Sequence, residues 1–143
     1  MTAKGHIYII GGGSTLGDIG GSKLASVEKY EPEEDSWSLV APMREGRSHP
    51  GCVCHHDNIF VVGGIDSSGF QSASCEVYSV NTDEWNAISQ LPNPYSGVNN
   101  VIIIKNQVTV PLTEEGSVSA CNALKYNALS NTWTKILHLL PCV

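Results

Sequence analysis

A 48-residue period constrains this chain more than any other feature. The stretches "VEKYEPEEDSW", "CEVYSVNTDEW" and "ALKYNALSNTW" each set a Tyr seven positions before a Trp, at Tyr30 and Trp37, Tyr78 and Trp85, and Tyr126 and Trp133. Three copies in one register make the chain a structural repeat, in which each unit buries its apolar face only against a neighbour. Apolar runs keep the same order: "HIYIIGG" ends at Gly11 and Gly12, "NIFVVGG" ends at Gly63 and Gly64, and "NQVTVPL" occupies the third position without a diglycine.

Within a unit, short runs of β-branched and aromatic residues are bounded by Gly, Pro, Asn and Asp, the signature of strands joined by turns. Helical periodicity is absent. In the second unit the runs place strand A near Gly51 to His56, B near Ile59 to Val62, C near Ser74 to Ser79 and D near Glu84 to Ile88. "PEED", "NTDE" and "LSNT" supply hairpin turn residues between C and D. Four antiparallel strands per period of roughly 50 residues make one propeller blade.

The diglycines do not form a phosphate loop. After the spacing from Gly12 to Gly17, a nucleotide-binding loop needs Lys and then Ser or Thr, whereas Asp18 follows and its carboxylate repels phosphate. A dinucleotide fold needs a helix after the glycines, and "LASVEKYEP" reads as strand and turn. The role expected for Gly-Gly is to accept positive φ and close strand approach.

The apolar strand ending in Gly-Gly, the spaced Tyr and Trp, and a small loop with Met and Arg, as in "APMREGR", together resemble the kelch repeat family from about His6 to about Leu140. Pro111 and Leu112 depart from it at the third diglycine, and "LPNPYSG" stands where the first unit has Met43 and Arg47. The expected fold is all-β: a partial β-propeller of about three kelch blades, each a four-stranded antiparallel sheet, with the first blade lacking its A strand. The 143 residues read as one partial propeller, with blades at 6–41, 51–89 and 99–140. That is about half of the six-bladed ring the resemblance implies, and the faces of the end blades offer a route to self-association.

Antiparallel order puts the loops from D to A and from B to C on one side of the sheets. These are the longer loops, where binding residues gather on a rigid scaffold. The compact basic group on that side is Arg44, Arg47 and His49, and Arg suits bidentate recognition of a carboxylate. The resemblance carries Arg47 over from the family's loop Arg, which in such repeats also braces neighbouring blades. Tyr95 in "NPYSG" joins the candidate protein-binding set, since loop Tyr residues are enriched at interfaces. Tyr30, Tyr78, Tyr126, Trp37, Trp85 and Trp133, with Gly11, Gly12, Gly63 and Gly64, recur and are assigned to structure.

"CVCHH", Cys52 to His56, holds metal-ligand side chains, but strand alternation divides them and no distant Cys-x-x-Cys completes a set. Neither metal nor cofactor is expected. No nucleophile elbow is present and no His stands beside an evident nucleophile, so the chain reads as a non-enzyme. Lys+Arg of 8 against Asp+Glu of 14 gives a net charge of -6, which disfavours nucleic acid. The opening residues hold no signal or span, and the five unpatterned cysteines suit a reducing compartment. A cytoplasmic protein that does not associate with membranes is the expectation.

The function expected from the resemblance is a non-catalytic protein-interaction module, the substrate-recognition part of a cullin-ubiquitin-ligase adaptor. Its link to a cullin would run through a BTB domain that this sequence does not contain. The alternatives are an actin-binding or cytoskeletal kelch scaffold and, further off, a propeller oxidase.

Overall fold

The computed structural model describes residues 1–13, 22–95, 98, 100–112 and 121–138. Three four-stranded antiparallel sheets follow one another along the chain. The first holds β1 (Thr2–Ala3), β2 (His6–Gly13), β3 (Lys23–Glu31) and β4 (Ser36–Val40). The second holds β5 (Gly51–His55), β6 (Asn58–Val62), β7 (Cys75–Ser79) and β8 (Glu84–Ile88). β9 (Ile102–Ile104), β10 (Gln107–Leu112), β11 (Cys121–Asn127) and β12 (Thr132–His138) form the third. Strands neighbour in sequence order in every sheet, and the three sheets do not close a ring among the described residues.

One expectation is corrected. The first sheet has an A strand, because Thr2 and Ala3 pair with Ile7 and His6. Two residues are too short for a strand pattern to register in sequence, yet the Lys4-Gly5 turn is enough to fold them back.

The turns explain the regularity. Each A–B connection is two residues with positive φ: Lys4 and Gly5, His56 and Asp57, Lys105 and Asn106. Two consecutive left-handed residues form the type I′ turn, whose twist matches that of the strands it joins. Each C–D turn places an Asx residue in the same region, at Asp35, Asp83 and Asn131, where Asp and Asn are tolerated better than other side chains.

Alternation along each inner strand divides the core. Ile59 and Val61 of β6 enter an apolar cluster with Tyr8 and Val27 of the first sheet, while Phe60 and Val62 enter one with Val110 and Leu124 of the third. Each sheet thus has a leading face toward the preceding sheet and a trailing face toward the next. Aromatic contacts repeat across both interfaces: Tyr8 meets Tyr78 edge-on at 6.0 Å, and Phe60 meets Tyr126 at 5.9 Å. Edge-to-face geometry adds about 1 kcal/mol to the burial of such rings.

Candidate protein-binding loop face

The D–A loop after β4 turns back beneath its own sheet. Met43 N donates to Ala25 O, Arg47 N to Leu24 O and Gly12 N to Arg47 O. The last bond needs Gly11, which has φ +64° and whose added Cβ would stand 2.4 Å from Arg47 O. A register shift between Ile10 and Gly12 marks the bulge. The first diglycine therefore admits the returning loop.

Arg47 does not belong to the binding surface. It is 1% exposed, and its guanidinium spans the first two sheets. Nη1 donates to Gly63 O at 2.8 Å and Ser74 O at 3.0 Å, and Nη2 to Ser74 Oγ at 2.8 Å and Glu76 Oε1 at 2.9 Å. Glu76 is buried with it and accepts two backbone donors, Arg44 N at 2.8 Å and Glu45 N at 3.2 Å. A buried carboxylate with this many donors is stable, and removing the arginine would strand it.

Tyr95 stands one period on from Arg47, and Leu124 one period on from Glu76. Tyr95 is half-buried and packs against the apolar cluster that contains Leu124. An ion pair at the first interface is thus replaced by apolar packing at the second. Glu76 and this exchange escape a motif search, but aligning the units by 48 residues exposes them.

Arg44 and His49 are exposed on the same loop. Arg44 lines a shallow pocket with Glu45, Ser74, Glu76 and Gln90. Because its own N–H is held by Glu76 and Arg47 is anchored three residues on, its side chain leaves a fixed backbone. His49 has φ 51°, bending the chain between Ser48, which pairs with Ile65, and β5.

Sequence reading passed over Phe70, which is 72% exposed on the B–C loop of the second sheet. The loop is held by Asp66, whose Oδ1 accepts from Ser68 N and Phe70 N at 2.8 and 3.0 Å. Asp66 N in turn donates to Phe70 O. The signal was the "DSSG" turn, which fixes an aromatic at its end. Most of the B–C loops of the first and third units, and residues 96, 97 and 99 of the second D–A loop, lie outside the described residues.

The "CVCHH" stretch is divided as strand alternation requires. Cys52 and Cys54 pack toward the first sheet and Val53 toward the third. His56 departs from that alternation because it opens the turn, and both imidazoles reach Asn106 Oδ1, His55 at 2.9 Å and His56 at 3.0 Å. Among the described residues, no three His, Cys, Asp or Glu side chains converge as a metal site. Burial pushes the Cys52 and Cys75 thiols up to about 11, so both stay protonated at neutral pH.

The recurring aromatics brace the sheets. Tyr30, Tyr78 and Tyr126 donate to Asp35, Asp83 and Asn131 at 2.7, 2.8 and 2.9 Å. Each lies against its Trp, with ring centroids 5.0 to 5.2 Å apart.

Repeated four-stranded antiparallel sheets with packed faces define a protein of propeller-like β repeats. The chain belongs to the kelch family: residues 2–44 and 46–92 match the Kelch motif. It is 36% identical over 110 residues to kelch-like protein 26 of Danio rerio, covering 76% of this chain and 18% of that protein. It is 37% identical over 99 residues to beta-scruin of Limulus polyphemus (66% and 11%). With kelch-like protein 34 of Homo sapiens it shares 32% over 103 residues (67% and 16%). The matched region is thus less than a fifth of each of these relatives. No helix among the described residues is long and apolar enough to cross a membrane.

Proposed function

We propose that this chain is a non-catalytic protein-interaction unit whose binding surface is the D–A and B–C loop side, with Arg44 and Phe70 as its main contacts and His49 and Tyr95 beside them. The observation that carries this reading is the rigid display of exposed side chains: Glu76 pins the backbone under Arg44, and Asp66 pins it under Phe70. Aromatic and arginine side chains are favoured at interface hot spots, and a backbone already fixed beneath them lowers the ordering cost of binding. An acidic or mixed acidic-apolar protein segment suits the pair. In a kelch-like context the bound protein would be a substrate presented to a ubiquitin ligase, with a BTB domain elsewhere supplying the ligase link.

The test is affinity capture from cytosol with the wild-type chain beside an Arg44→Ala, Phe70→Ala double variant whose thermal unfolding matches wild type. Partners lost from the variant alone support the reading, and their identity separates adaptor from scaffold. Cosedimentation with filamentous actin that depends on Arg44 would favour the cytoskeletal alternative. Partners held equally by both proteins would overturn the loop-face assignment.

A further inference from the structure

Neighbouring sheets are also linked at their A–B turns, at the strand ends opposite the loops that carry Arg44 and Phe70. Between the first two sheets the link is ionic, with Lys4 Nζ 3.3 Å from Asp57 Oδ2. In the third sheet Asn106 holds the same place in its turn as Asp57, and two imidazoles meet it where one ammonium meets Asp57. His55 Nε2 lies 2.9 Å and His56 Nε2 3.0 Å from the same Asn106 Oδ1. The ring centroids are 4.0 Å apart and the rings are inclined at 54°.

One side chain suffices for such a link, as Lys4 shows. Two like ring nitrogens gathered on one oxygen give a different arrangement, a set of N, N and O donors on a common edge. Ligands bound at about 2.0–2.1 Å and set between right-angled and tetrahedral directions stand about 2.9–3.4 Å apart. The two N–O separations match that spacing, so an ion can enter with small side-chain movements.

The backbone beneath the rings is fixed. His55 closes β5 by pairing with Asn58, Asn58 Nδ2 donates to His56 O at 3.0 Å, and Val80 N donates to Asp57 O at 3.1 Å. His56 and Asn106 are exposed and His55 is half-buried, which leaves the donors within reach of a hydrated ion. Imidazole nitrogen with amide oxygen suits zinc, copper or nickel, whereas calcium and magnesium take oxygen alone. The thiols of Cys52 and Cys54 take no part, since they face the first sheet. The net charge of -6 favours a cation, and Lys105, beside Asn106, is exposed and screened by solvent.

We infer that His55, His56 and Asn106 form a binding site for a first-row divalent transition cation that ties the second sheet to the third. With Oδ1 as acceptor, both rings carry their proton on Nε2. On binding, each Nε2 gives its proton to water and its lone pair to the ion, and Nδ1 takes a proton from water, so both imidazoles stay neutral. Asn106 Oδ1 then coordinates the ion in place of accepting the two N–H groups, and water completes the sphere. Three protein ligands with open positions make the site exchangeable. It shares no residue with the loop face and stands or falls independently of that reading.

The test titrates the nitrogen-labelled chain with zinc and follows the imidazole nitrogens, assigned through His55→Ala and His56→Ala. Zinc is expected to shift the Nε2 resonances of both His55 and His56, to leave those of His6 and His49 in place, and to raise the thermal unfolding midpoint. Magnesium at the same concentration should do none of this. Either alanine variant should weaken zinc by about tenfold or more. Asn106→Asp, which puts at this turn position the residue that Asp57 already provides in the second sheet, should tighten zinc by about tenfold, since ligand charge raises affinity. Rings that stay unshifted at millimolar zinc overturn the proposal. So does equal affinity for a His55→Ala, His56→Ala double variant, because the ligands then lie elsewhere. Zinc that shifts both rings but binds Asn106→Asp no more tightly and leaves the midpoint unchanged also overturns it, because the ion then does not reach the third sheet.

Discussion

Arg44 and Arg47 sit three residues apart on one loop and have opposite fates. Arg47 is enclosed because Gly63, Ser74 and Glu76 of the next sheet surround its guanidinium, whereas Arg44 extends from the loop into solvent. Arg47→Ala is expected to lower stability by about 3–5 kcal/mol, since it leaves the buried Glu76 carboxylate without its counter-charge and takes a donor from Gly63 O. Arg44→Ala should stay within about 0.5 kcal/mol of wild type. Urea unfolding of both variants checks the pair, and equal losses would contradict the assignment of roles. Cys75 gives a second residue-scale prediction. Its folded pKa is raised to about 11 by burial, above the ordinary thiol value, so the unfolded chain loses this proton first as pH rises. Stability from this group is complete below about pH 9 and falls between pH 9 and 11, by about 2–3 kcal/mol. Comparing wild type with Cys75→Ala in unfolding experiments across that window isolates it, because the variant should show the shallower pH dependence.

At the scale of the element, turn chemistry and one bulge determine how the strands connect. The Asx turns between C and D were readable from Asn and Asp at short spacing, because φ > 0 is a local demand that few residues meet, whereas the A–B turns escaped because Lys4, His56 and Lys105 open them. The bulge at Gly11 was only half readable. A diglycine announces unusual backbone, but the approach of Arg47 O, from 36 residues along, is a tertiary fact. Gly11→Ala is expected to cost about 2–4 kcal/mol, from positive φ and from displacement of the loop. Pro111 and Leu112 replace the diglycine in the third sheet, and β10 runs straight through them to pair with β11. A hydrogen bond between sheets gives a further element-scale prediction: Trp85→Phe loses the indole N–H that donates to Ala41 O at 2.7 Å and truncates a buried ring, and should cost about 2 kcal/mol. Thermal unfolding compared with Trp37→Phe checks it, since Trp37 has no such acceptor among the described residues and the second change should be near neutral.

At the scale of the whole molecule, stability in a linear repeat is the sum of unit terms and nearest-neighbour interfaces. The second sheet has both faces covered, whereas the first has its leading face open. Hydrogen exchange on the 143-residue chain should accordingly be slowest for the amides of Ile59 to Val62 and faster for Ile7 and Ile9 of β2. Uniform protection across both strands would mean that the open face is already occupied, as by self-association. The sequence by itself determined the 48-residue period, the strand order and the side from which the long loops emerge, because hydrophobic alternation and turn residues act over a few positions. It also held the exchange of Arg47 and Glu76 for Tyr95 and Leu124, visible only once the units are aligned. The tertiary structure alone decided which charges are buried and which are displayed, and that Phe70 stands exposed on its loop. Burial depends on what another sheet brings to a side chain, and Glu76 lies 29 residues from the arginine it encloses.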